Sequence, residues 1–291
     1  MKLGRFYNLV VKFGAQRDPR KSKQSIKSYA DSAILYGDPN IEVKKILVGI
    51  DMEVGEILLA DKLRLDKGLD LVVSHHPEGR AYASLHNVMW LQLDLLKDAG
   101  VPLAVARKML EERIREVERK ILPQNHSRAV DAARLINMPF MCMHTPADNH
   151  VFVFLKKLMQ KAKPKKVKDI VNILSAIPEY KDAAKDTGCG PRIILGSANR
   201  EAGKILFEMT GGTEGPKGVL DKLYKAGVRT LVSMHLSEEH LKKAKEAGLN
   251  VVIAGHISSD SLGLNLLLDR IEREEELEVI GCSGFKRIKR I

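Results

Sequence analysis

The stretch RTLVSMHLSEEHLKKAKEAGLNVVIAGH, residues 229–256, decides the fold class. RTLVSMH (229–235) is a short apolar, β-branched run that ends on a histidine. SEEHLKKAKEAG (237–248) has helical spacing, lysines towards its end and a glycine as its stop. NVVIAGH (250–256) is a second apolar run, and it too ends on a histidine. Strand, helix and strand in succession imply a layered α/β fold with parallel strands.

The same alternation extends outward from this unit. Further strands are predicted at KKILVGID (44–51), LDLVVSHH (69–76), VPLAVA (101–106), PFMCMHT (139–145), PRIILGSA (191–198) and ELEVIGC (276–282). Helix-period segments lie between them, at 53–68, 84–100 and 216–227. Residues 107–137 form a long charged helical stretch interrupted at Pro123, and residues 78–137 as a whole read as a helical insertion in the first half. A lysine cluster, a weak helix and the loop KDTGCGP mark a soft zone at 161–190. The expected organisation is therefore two α/β halves, 1–165 and 185–291, joined by a connecting segment at 166–184.

A chain of 291 residues can build one large α/β domain or two smaller ones with ample core. No apolar run approaches the roughly 20 residues that a membrane span needs. The N-terminus begins basic but has only a short apolar stretch and no small-residue cleavage pattern, so it is not read as a signal peptide. Cys142, Cys189 and Cys282 are few, odd in number and far apart, which argues against a disulfide framework or a CxxC zinc site and points to the cytoplasm. The net charge of +11 (48 basic against 37 acidic residues) favours anionic partners. Much of the excess sits at KPKKVK (163–168) and FKRIKR (285–290), which also read as solvated edges.

The chemistry-bearing residues collect at strand ends. They are Ser74-His75-His76, then His144 with Asp148, then Ser233-Met234-His235, then Gly255-His256 with Asp260. In open α/β sheets the ligand crevice lies outside the carboxyl ends of the strands. Taken singly, each strand-end histidine reads as a satisfied imidazole and Asp260 as a helix cap. Together they offer mixed imidazole and carboxylate ligation suited to Zn, Mn, Fe, Co or Ni. Side chains of adjacent strand residues diverge, so His75 and His76 suit two metals better than one. HxH, HExxH and DHH patterns are absent, and residue 74 is Ser. Thr210-Gly211-Gly212-Thr213 reads as a strand-to-helix turn or as a phosphate cradle. His86, His126, His150 and His240 read as structural, and Trp90 as core.

S-H-H-P after a strand, H-T-x-x-D, T-G-G and a C-terminal G-H-x-x-x-acid occur here in one order. The set resembles the NIF-three-like dinuclear metal-centre family, whose members are often labelled GTP cyclohydrolase I type two homologues. The resemblance spans roughly residues 28–78, 138–155 and 186–273. It implies a two-domain α/β subunit in a toroidal hexamer, with two divalent metals in a cleft between the domains. Position by position, His75 and His76 match the histidines that each hold one metal. Asp148 matches the carboxylate of H-T-x-x-D, and His256 the histidine of G-H. Asp260 stands where the family usually has a bridging glutamate, one methylene longer. Relatives tend to carry Gly and an acid at Met234-His235, which makes His235 a candidate proton-transfer residue near the metals. His144 is a candidate for hydrogen bonding to the ligands.

Two functions follow as expectations. One is a metal-dependent hydrolase acting on an anionic, nucleotide-like small molecule, GTP cyclohydrolase-like by resemblance. The other is a non-enzymatic metal-binding or regulatory ring that contacts nucleic acid or protein partners.

Overall fold

The computed structural model describes residues 1–290. The chain opens with helix α1 (Leu3–Arg17), strands β1 (Ser32–Tyr36) and β2 (Lys45–Gly49), helix α2 (Val54–Lys67), strand β3 (Leu71–Ser74) and the short helix α3 (Gly79–Ala83). A helical run follows: α4 (Gln92–Ala99), α5 (Leu103–Ile121) and α6 (Arg128–Leu135). Then come β4 (Phe140–Met143), α7 (Thr145–Ala162), α8 (Val167–Ser175), α9 (Pro178–Thr187), β5 (Arg192–Leu195) and β6 (Lys204–Glu208). The chain closes through α10 (Leu220–Lys225), β7 (Val228–Ser233), α11 (Glu238–Ala247), β8 (Asn250–Ile253), α12 (His256–Glu272) and β9 (Glu278–Gly281).

These elements form two compact units, and both are discontinuous in sequence. The first holds Met1–Val88, Glu116–His150 and the chain from Asp260 onward; the second holds Met89–Arg115 and Val151–Ser259. Sequence alone predicts contiguous halves at 1–165 and 185–291, and the contacts divide the chain differently. The physical reason is strand pairing. The C-terminal strand β9 pairs with β2, so the chain end returns to the first sheet. The expected insertion at 78–137 is shared, with 89–115 in the second unit and 78–88 and 116–137 in the first. The expected connector, 166–184, forms α8 and most of α9 within the second unit.

In the first unit the sheet order is β1-β4-β3-β2-β9, with β1 antiparallel to β4 and the rest parallel. Its strands are apolar on both faces. Ile46, Val48, Leu71, Val73, Met141 and Met143 pack with residues of α1 and α12. Leu47, Val72 and Phe140 turn the other way and pack with α2 and α6. A sheet covered on both sides needs no polar face, which is why β3 and β4 are continuous apolar runs. The N-terminal stretch becomes α1, whose Leu3, Phe6, Val10 and Phe13 are buried in this core. The second unit has the order β5-β8-β7-β6, with β5 antiparallel. Its core joins Leu231 and Val251 to residues of α4, α10 and α11.

Four local expectations change. VPLAVA (101–106) is not a strand: Gly100, at φ +104°, ends α4, and α5 starts just after Pro102. A six-residue apolar run cannot distinguish a strand from the buried start of a helix. The edge strands β1 (SAILY) and β6 (KILFE) have no counterpart in the predicted set, whereas the edge strands β5 and β9 do. FKRIKR is not simply solvated: the Arg287 guanidinium is 9% exposed and pairs with Asp269 (2.6 Å) and Glu272 (2.9 Å). Trp90 is half-buried, with the Arg107 guanidinium 5.8 Å from its ring, and does not lie in the apolar core. No helix among the described residues is long and apolar enough to cross a membrane.

Candidate metal centre

The central strand β3 ends at Ser74, and two backbone bonds hold the residues beyond it. The His75 amide donates to Gly49 O (2.8 Å) and the His76 amide to Ile50 O (2.9 Å). The Ser74 hydroxyl donates to the His76 carbonyl (2.7 Å) and tightens the turn. Next to it, β4 ends at Met143 and leads through His144 into α7, with Asp148 in that helix's first turn. Asp260 enters from α12, one turn past that helix's start at His256. A carboxylate in a first helical turn is favoured by the helix dipole.

These side chains form an alternating chain of imidazoles and carboxylates. His144 Nε2 lies 3.7 Å from Asp148 Oδ2, and Asp148 Oδ1 lies 3.4 Å from His75 Nε2. His75 Nε2 also lies 3.4 Å from Asp260 Oδ1, while Asp260 Oδ2 lies 3.4 Å from His76 Nε2. Each aspartate thus turns one oxygen to each of two histidines. The three rings sit with centroids 5.0–5.9 Å apart. His75 and Asp260 are fully buried, Asp148 and His144 nearly so, and the His76 ring is a quarter exposed.

Two further acids orient the outer rings. Asp51 Oδ1 lies 2.7 Å from His76 Nδ1, and Asp31 Oδ2 lies 2.8 Å from His144 Nδ1. With both acids ionised, each Nδ1 carries a proton and donates, which turns Nε2 to the cluster, where a cation could displace its proton. Asp31 also accepts from the Thr145 hydroxyl at 2.6 Å. Burial would raise its pKa, but the bonds from His144 and Thr145 outweigh that and hold it below the usual carboxylate range.

The arrangement fits a cation. Both ring nitrogens of His75, and Asp148 Oδ1, are buried without a hydrogen-bond partner. Native structures rarely tolerate such atoms unless an ion or water completes them. Burial would depress the His75 imidazolium, yet Asp260 and Asp148 outweigh it and lift the pKa to about 10. The same balance, with Asp260 and Asp51 as the acids, lifts His76 to about 9. A pocket that forces protons onto its imidazoles is one in which two buried carboxylates demand positive charge. Imidazole nitrogens and carboxylate oxygens are the donor set of a transition metal or zinc, and His75, Asp148 and Asp260 converge closely enough to hold one.

Of the ligands expected from sequence, His75, His76, Asp148 and Asp260 come together within the first unit. His144, expected beside the ligands, offers a ligand atom of its own. Asp31 and Asp51 were not singled out. Asp51 had a signal, since it closes the strand-like run KKILVGID, whereas Asp31 lies in no recognisable motif. His235 and His256 belong to the second unit, where their rings pair at 4.7 Å. The His235 ring is about half exposed, with Nδ1 3.5 Å from Glu214 Oε1. Burial would raise the pKa of Glu214, but His235, His240 and the Ser237 amide hold it down at about 2.

His240 is buried, bonded to the Ser237 hydroxyl and to Gly215 O, in keeping with a structural role. The Thr210–Thr213 segment is a turn pinned by Gln92, whose Nε2 donates to Gly211 O (2.8 Å) and Thr213 O (2.7 Å). At Gly211, φ is +103° and a Cβ would stand 2.7 Å from Gln92 Cγ, so glycine is required there on both counts.

No family model matches the sequence, and no curated protein matches it. Solved structures do. A NIF3 superfamily protein from Sphaerobacter thermophilus aligns over 95% of this chain and 97% of its own, with 28% identity and a TM-score of 0.81. Reduced HcgD from Methanocaldococcus jannaschii aligns over 97% of each chain at 16% identity and a TM-score of 0.58. A Bacillus cereus protein related to NIF3 aligns over 100% of this chain and 98% of its own, at 10% identity and a TM-score of 0.51.

Proposed function

The chain has the fold of the NIF3 superfamily, and on that premise we propose that it is a dinuclear metal-dependent hydrolase acting on an anionic, nucleotide-like small molecule. The observation that carries this reading is the alternation of buried histidines and aspartates around His75, whose two ring nitrogens have no hydrogen-bond partner. His75 with Asp148 would hold one divalent cation. His76 with Asp260 would hold the second, joined by His256, which the family resemblance assigns as a ligand. Asp260 would contribute an oxygen to each cation, because its two oxygens face His75 and His76 separately. When bound, such a pair of cations acidifies water and polarises a carbonyl, C=N or phosphoryl group.

The protein's own groups complete the site. Asp31 and Asp51 fix the tautomer and direction of His144 and His76. Ionised Glu214 faces His235 Nδ1 and leaves Nε2 to exchange a proton, which suits His235 as the general acid or base. The net charge of +11 favours an anionic substrate. GTP cyclohydrolase chemistry and a hexameric ring come with the family resemblance and are part of the same proposal.

The test is elemental analysis of protein purified without chelator, together with a hydrolysis screen over nucleotides and phosphoesters. Divalent metal near two equivalents per chain, and activity lost in the H75A/H76A double variant, are the expected results. A chain that binds no divalent metal, or a double variant with undiminished activity, would overturn the proposal.

A further inference from the structure

The second unit contains a cavity of about 320 Å³ that shares no residue with the histidine and aspartate cluster. One helix face and one strand edge build it. Along α7 and just past its end, Phe152, Lys156, Met159, Gln160 and Lys163 recur at helical spacing and all line the cavity. Phe152 and Met159 are buried and form its wall, while Lys156 and Lys163 are exposed at its mouth. The Lys156 ammonium lies 5.5 Å from the Phe152 ring centroid, over the apolar wall. Five consecutive residues from Gly203 to Phe207 also line the space. Successive strand residues point to opposite faces, so a cavity that touches all five runs along the open edge of β6, which has only β7 beside it.

The charge at the mouth is one-sided. Lys156, Lys163 and Lys204 line the cavity with a single acid, Asp98, and Lys204 is engaged by the Ala99 carbonyl at 2.6 Å. Between Asp148 and Asp169 the sequence has seven lysines and no acidic residue. An apolar, aromatic-walled space of this size stands at the small end of the range of about 300–1,000 Å³ typical of small-molecule sites. A cationic rim over an apolar wall is complementary to a molecule with an apolar tail and an anionic head. From this geometry we propose that the cavity binds a small amphiphilic carboxylate, with its chain against Phe152, Met159 and Leu206 and its head between Lys156 and Lys163.

Isothermal titration of the full chain with octanoate tests this, with octylamine as the matched cation. Octanoate is expected to give saturable binding of one molecule per chain, and octylamine none. Leu206→Trp fills the cavity and should abolish octanoate binding. The K156E/K163E variant changes only exposed side chains and should weaken binding about tenfold, the effect of reversing two solvent-exposed charges near the head group. Circular dichroism and metal content should match wild type in both. Absence of saturable octanoate binding, equal binding of octylamine, or octanoate binding unchanged in both variants would overturn the assignment. Self-association abolished by Leu206→Trp would overturn it as well, by identifying the groove as an interface between copies of the chain.

Discussion

Asp260 faces two imidazoles at once with a short side chain. A glutamate would reach further, yet here the backbone of α12 brings the shorter carboxylate to 3.4 Å from both His75 and His76. Asp31 matters in a different way, since its carboxylate hydrogen-bonds to His144, Thr145 and Ser32 and stands behind the His144 ring. Asp31→Asn should keep the fold but weaken metal binding by about 10–100-fold, the usual effect of losing a carboxylate behind a ligating histidine. Competition with a chelator of known affinity measures this, and unchanged affinity would remove His144 from the ligand set. Glu214 provides a pH prediction. Its folded pKa of about 2 lies below the ordinary 4.5, so its contribution to stability is complete above pH 4.5 and lost as pH falls towards 2. Solvent screens part of that, leaving about 1–2 kcal/mol. Glu214→Gln should therefore be less stable at pH 7 by that amount, with a flatter acid limb in denaturant titrations between pH 4.5 and 2.

At the scale of elements, α1 and the C-terminal segment lock the first unit. Phe6 is fully buried among strand and α12 residues, so Phe6→Ala should cost about 3–5 kcal/mol of unfolding free energy by urea denaturation. A negligible cost would mean that α1 is not integral to this core. Arg287 holds Asp269 and Glu272 of α12, both nearly buried. Removing it leaves the buried Asp269 without its ion-pair partner, while Glu272 keeps Lys289 (2.6 Å), and Arg287→Ala should cost about 3 kcal/mol in the same assay. What was legible here followed local periodicity: the strands β2, β3, β4, β5, β7, β8 and β9, and the glycine stops of α2, α4 and α11. What was not legible depended on partners distant in sequence. Strands β1 and β6 are short runs, five residues each, paired with β4 and β7, which lie far off or beyond α10 in sequence. VPLAVA is apolar because it begins a buried helix, and periodicity over six residues cannot report that.

For the whole molecule, the two interleaved units make a prediction about heat. The cluster of His75, His76, His144, Asp148 and Asp260 lies within the first unit. A ligand stabilises the state that binds it by mass action. Chelation should therefore lower the first unit's transition in scanning calorimetry, and a first transition unmoved by chelation would argue against the metal centre. The hexamer proposal predicts a mass by light scattering of about six times 32.4 kDa.

The sequence by itself determined the α/β class, the placing of histidines and aspartates at strand ends, and the resemblance that tied them together. Each of these rests on spacing within a few residues, where backbone geometry leaves little choice. Only the tertiary structure decided that β9 returns to pair with β2, which makes both units discontinuous. It also decided that Asp31, 113 residues from His144 in the chain, supplies that ring's hydrogen-bond acceptor. Strand pairing and buried hydrogen bonds join residues without regard to their separation along the chain, so no local pattern encodes them.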